Sequence, residues 1–108
     1  MDLRNIGEAT EWFEVLQTSQ RSQTAMMTLA PGDSTGRKAE AHKKSDQVML
    51  ILRGELAGRV GEEKVSLKKG DVILIPAGTP HRFTNKTGKP AVTFNMYAPP
   101  KYPEGTKG

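Results

Sequence analysis

At 108 residues the chain is long enough for one domain with one core. It has no cysteine, which excludes disulfides, thiolate metal sites and cysteine nucleophiles, so any metal must be held through nitrogen and oxygen. No apolar run approaches the roughly 18 residues of a membrane span, and Met1-Asp2-Leu3-Arg4-Asn5 lacks a signal-peptide core; a cytoplasmic protein with no membrane partner is the expectation. The net charge is +4. Its cations at Arg37, Lys38, Lys43, Lys44, Lys64, Lys68 and Lys69 are expected in turns, with no helix-turn-helix, zinc-finger or ribonucleoprotein pattern. They read as a solvated basic surface or as an anion-attracting rim around a pocket, and nucleic acid is not an expected partner.

In chain order, Asn5 to Thr10 has room for a helical turn, and Glu11–Leu16 reads as an edge strand. Thr24–Leu29 is an apolar strand that ends at the turn Pro31-Gly32-Asp33. His42 lies near the start of a further strand pattern, ahead of the apolar strand Val48–Leu52. Glu55–Val60 and Lys64–Leu67 read as a hairpin across Gly61-Glu62-Glu63. Val72–Ile75 is a β-branched run ended by Pro76, which cannot donate to a sheet ladder. Gly78 serves a tight turn, after which His81 and Phe83, two residues apart, face one side of the next strand. Ala91–Tyr97 closes the sheet, and the Pro/Gly-rich residues 98–108 end the fold. Many short strands between regular turns predict an all-β sandwich or barrel. The expected boundaries are a single domain over 1–108, with a barrel of about 20–98, an edge strand of about 11–17 and a tail of 99–108. Hydrophobic residues make up only 35% of the chain, a modest core that a homodimer would help to cover.

The chain has two histidines, His42 and His81. Two lone histidines on separate strands of a small β protein point to a shared metal site. The spacing Gly70-x5-Pro76-x-Gly78-x2-His81-x3-Asn85 resembles the second sequence motif of the cupin superfamily at every defined position. Residues Gly36 to Gly54 resemble the first cupin motif in altered form, Glu40-x-His42-x4-Gln47. A register with His42 and Lys44 in the two histidine positions is the alternative; it is disfavoured because a protonated ammonium cannot ligate a metal. Ser45-Asp46-Gln47 and Tyr97-Ala98-Pro99-Pro100 are similar to small single-domain bacterial cupins, and the likeness covers about residues 10–103.

The resemblance implies a cupin jelly-roll, a double-stranded β-helix barrel. It also implies a divalent metal (Zn, Fe, Mn or Ni) on Glu40, His42, Gln47 and His81, a set similar to the zinc ligands of phosphomannose isomerases. Glu40 and His42, two residues apart, are expected on the same face of one strand, and Gln47, Met49 and Ile51 on one face of the next. Arg53, Phe83, Asn95 and Tyr97 are candidates for contacting a small-molecule ligand, while Asn85, Gly54, Gly70 and Gly78 read as structural. The function expected is an enzyme on a small oxygenated substrate, dioxygenase-like or sugar-isomerase-like. The alternatives are a non-catalytic sugar- or organic-acid-binding barrel and a metal-free structural barrel.

Overall fold

The computed structural model describes residues 1–36, 39 and 41–108; Arg37, Lys38 and Glu40 lie outside the described residues. A short 3-10 turn at Ile6–Glu8, capped by Asn5, precedes eight strands. These are β1 (Phe13–Thr18), β2 (Gln23–Leu29), β3 (Asp46–Arg53), β4 (Glu55–Val60), β5 (Glu63–Lys68), β6 (Val72–Ile75), β7 (His81–Thr84) and β8 (Ala91–Ala98). Five form an antiparallel sheet in the order β1-β2-β8-β3-β6, and three form a second in the order β5-β4-β7. The sheets enclose one apolar core, giving a jelly-roll barrel. No helix among the described residues is long and apolar enough to cross a membrane.

Strand alternation decides what faces inward. Gln47, Met49 and Ile51 are the buried residues of β3, and Ala91, Thr93, Asn95 and Tyr97 those of β8. The register sets Gln47 opposite Tyr97 and Met49 opposite Asn95, so polar inward side chains of neighbouring strands meet inside the barrel. Gly54, at φ 78°, makes the turn from β3 to β4, where a Cβ would run into the Pro90 carbonyl. Asn85 is fully buried and donates to the Leu29 and Lys89 carbonyls, a structural role.

Three expectations from the sequence change. β1 begins at Phe13 rather than Glu11, because the Glu14 carboxylate accepts from the backbone N–H groups of Thr10 and Glu11 and holds them in a turn. His42 lies in the loop before β3 and not on a strand; its carbonyl accepts from the Gly78 N–H instead of from a sheet ladder. The C-terminal residues do not simply leave the barrel. The buried Gln23 amide donates to the Tyr102 carbonyl and accepts from the Lys101 and Tyr102 N–H groups. Val15 N–H donates to the Thr106 carbonyl, and Gly108 N–H to that of Phe13. The tail is thus strapped across β1 and β2.

Candidate functional site

The interior is solid on one side and hollow on the other. Met49, Ile51, Leu56 and Leu67 are buried core residues that stay clear of a cavity of about 310 Å³. That cavity lies between β1, β2, β7 and the C-terminal strap. Five of the chain's six aromatic residues line it: Trp12, Phe13, Phe83, Tyr97 and Tyr102. Their rings meet edge-on or tilted, with Phe13 and Tyr102 centroids 4.8 Å apart and Tyr97 and Tyr102 5.3 Å apart. Burial, with help from Tyr102, pushes the Tyr97 phenol well above its ordinary range, so it stays neutral and able to donate a hydrogen bond.

One corner of this aromatic cavity is polar. The His42 and His81 rings meet tilted at 55° with centroids 4.9 Å apart, and His42 Nε2 lies 3.1 Å from Gln47 Oε1. The donor directions follow from what each partner can accept. Thr93 Oγ1 donates to the Met27 carbonyl, Asn95 Nδ2 to Thr93 Oγ1, and Gln47 Nε2 to Asn95 Oδ1. Gln47 Oε1 is therefore an acceptor, and His42 Nε2 donates to it. His81 Nδ1 is 3.0 Å from the Thr79 carbonyl. A carbonyl only accepts, so the proton of the neutral imidazole sits on Nδ1 and the Nε2 lone pair is left for a ligand.

These donors fit a divalent metal once the His42 proton moves to Nδ1 and frees the Nε2 lone pair. Two atoms 3.1 Å apart, as His42 Nε2 and Gln47 Oε1 are, have the separation of neighbouring ligands on one ion with bonds of about 2.0–2.2 Å. The Asn95 amide holding Gln47 and the Thr79 carbonyl holding His81 are the kind of outer partners that orient metal ligands. Among the described residues no three His, Asp or Glu side chains gather in one cluster, so this corner offers two imidazoles and one amide oxygen.

Of the site residues expected from the sequence, His42, Gln47 and His81 come together, with Phe83 and Tyr97 in the wall around them. Asn95 stands behind Gln47 as its support, fully buried. Arg53 is elsewhere: it is exposed at the far end of β3, about 20 Å along the strand from Gln47. Glu40 lies outside the described residues. Sequence reasoning missed Trp12, Phe13 and above all Tyr102. The available signal was an aromatic residue in a Pro/Gly-rich tail of a chain with so few aromatics.

Residues 25–97 match the Cupin domain family. The chain is 31% identical over 112 residues to the uncharacterised protein YrkC of Bacillus subtilis, covering 94% of this chain and 59% of YrkC. It thus spans about three fifths of that relative's length. Among solved structures, BH2720 of Bacillus halodurans superposes with a TM-score of 0.88 at 27% identity, covering 97% of this chain and 86% of that one. TT1209 of Thermus thermophilus superposes with a TM-score of 0.80 at 30% identity, covering 92% of this chain and 98% of that one.

Proposed function

This chain belongs to the cupin family, and from that premise we propose that it binds a small oxygenated ring compound on a divalent metal inside the barrel. His42, Gln47 and His81 hold the metal, and Glu40 is assigned as the fourth donor from the sequence alone. The observation that carries the reading is the cavity's division into aromatic walls and a single polar corner. A planar ring packs against Phe83, Tyr97 and Tyr102, while its oxygen reaches the corner. Among the described residues the lining includes no Lys, Arg, Asp or Glu. A sugar phosphate would find no cationic side chain in the wall beside the metal, so a phenolic or carbonyl compound is the better fit and the dioxygenase-like reaction the better match. Iron, manganese or nickel in this corner supplies oxygen activation, and zinc supplies Lewis-acid polarisation. The chain's own contribution is orientation. The run from Thr93 through Asn95 to Gln47 fixes one donor, the Thr79 carbonyl fixes another, and the aromatic strap excludes water.

One observation favours a second reading, a non-catalytic binding barrel. The run His42–Gln47–Asn95–Thr93 is joined by its own hydrogen bonds, and a run held in this way keeps its arrangement without an ion. The test is elemental analysis of the protein after incubation with Fe(II), Mn(II), Ni(II) or Zn(II) and desalting. The first reading expects about one equivalent per chain in the wild type and little in His81→Ala. A wild type that retains no metal but still binds catechol moves the assignment to the second reading.

A second copy of the chain is the proposed partner. Val72 and Leu74 of the edge strand β6 are 65% and 58% exposed. They extend two outward rows across the large sheet, Val72–Leu50–Phe94 and Leu74–Val48–Met96. An apolar face ending in an open strand edge is self-complementary about a two-fold axis. Sedimentation equilibrium should find a dimer that Leu74→Lys dissociates; a monomeric wild type would end this assignment.

A further inference from the structure

The outward face of the small sheet carries a second candidate site, unconnected to the barrel interior. Register sets Lys64 and Arg82 directly opposite Arg59 on its two sides, which makes a row of three cations across three strands about 4.8 Å apart. Like charges placed opposite each other in a sheet cost stability. The same face does not do this by default, since Glu55 opposes Lys68 four residues away. Among the described residues the ion pairs are Arg4–Asp2, Arg4–Glu8 and Lys68–Asp71, so no acid offsets the row. The row borders a groove of about 460 Å³, with Lys86 at its rim. Small residues, Ala57 and Ser66, lie beside the cations and leave the groove open, and Ser66 adds a hydroxyl. The part-buried Arg82 is anchored by donating from Nε to the Gly36 carbonyl, which directs the rest of its guanidinium into place.

We propose that this groove binds a small phosphate-bearing ligand across Arg59, Lys64 and Arg82. Three cations around an open floor, Arg82 held by the Gly36 carbonyl and Arg59 by that of Glu62, suit a compact multivalent anion. Arg82 and Phe83 alternate on β7, so the groove and the aromatic cavity lie on opposite faces of the strand and take different chemistries.

The test is titration of the isotope-labelled protein with sodium pyrophosphate and with inorganic phosphate at low salt, followed by NMR. Saturable shifts confined to β4, β5, β7 and Lys86 are expected. Arg59→Glu and Lys64→Glu should each weaken binding by about tenfold, and Arg21→Glu, in the exposed β1–β2 turn with the same change in net charge, by less than about twofold. Equal strength for the two anions identifies a single phosphate group as the ligand, and stronger pyrophosphate binding identifies a polyphosphorylated one; both support the site. Shifts that never saturate, or equal losses in Arg59→Glu and Arg21→Glu, overturn it. So does displacement of pyrophosphate by a single-stranded oligonucleotide of far higher affinity, which would make the face a nucleic-acid surface.

Discussion

The solid and hollow parts of the barrel are built from the same strands yet do opposite work. β3 shows the division within a few residues. Met49 and Ile51 are almost fully buried among aliphatic side chains, while Gln47, at the other end of the same inward face, joins the polar corner. Each large aliphatic side chain removed from water stabilises by about 1.5–3 kcal/mol. A polar group in the same position contributes little net and must be fully hydrogen-bonded to be tolerated. Gln47 meets that condition through His42 and Asn95. The solid part therefore carries the stability, and the hollow part can change its chemistry at small cost to the fold.

The comparison breaks most sharply at Ile51, which is 1% exposed and clear of the cavity. Ile51→Ala should lower the unfolding free energy by about 2–5 kcal/mol in urea titrations, while the folded fraction keeps its full metal content. A loss below about 1 kcal/mol would mean that the solid part collapses around the deletion and is not the source of stability. Gly58 sits at the border between the two parts. A Cβ there would overlap the Phe83 ring and the Arg82 carbonyl, so Gly58→Ala should cost about 1–3 kcal/mol. Because Phe83 walls the cavity, this variant alone should lose stability and catechol binding together.

His81→Ala sharpens the contrast from the other side. It enlarges a space that is already hollow, so thermal unfolding of the metal-free protein should show a change of no more than about 1 kcal/mol, while retained metal falls to background. Unfolding as severe as that of Ile51→Ala would erase the distinction. Tyr102→Ala should leave metal content unchanged and weaken catechol by about three- to tenfold, as expected for one lost aromatic contact. Equal catechol affinity in this variant would remove the strap from the binding wall.

How far the sequence revealed this division depends on what carried each signal. The strands β4 and β6 read correctly to both ends, since Gly54, Gly61, Gly70 and Pro76 punctuate them chemically. His81 was legible because a short motif fixes both its turn and its face, and Gln47 because alternation with Met49 and Ile51 fixes its direction. His42 was found by its spacing, yet its place in a loop was not, because a Gly78 N–H far away in sequence takes its carbonyl. Tyr102 was invisible for the same reason. The Gln23 side-chain amide holds its backbone through bonds spanning 79 residues, and no local pattern encodes a contact of that range. Arg53 shows the converse error: it is the last residue of β3, one beyond the expected strand Val48–Leu52, and the sequence pattern cannot tell which end of a strand opens on the cavity.

The smallest expected effect is at the strap itself. The Glu14 carboxyl is held below its ordinary value of 4.5, chiefly by the Thr10 backbone N–H, then by that of Glu11 and by the charge of Lys107, with burial opposing. Glu14 pairs with Lys107 in an isolated bridge next to the backbone bonds that tie the tail to β1. A carboxylate whose folded pKa is depressed contributes stability above its unfolded pKa and loses it as pH falls through the folded value. The wild type should therefore be slightly more stable than Glu14→Gln at neutral pH, and the two unfolding midpoints should converge only as the pH falls through the lowered folded value. Because the strap carries Tyr102 into the cavity wall, catechol affinity should weaken over the same acid range in the wild type and less so in the variant. A midpoint difference that stays constant with pH would mean that Glu14 holds the turn by shape alone, and the strap would then have no acid-sensitive latch.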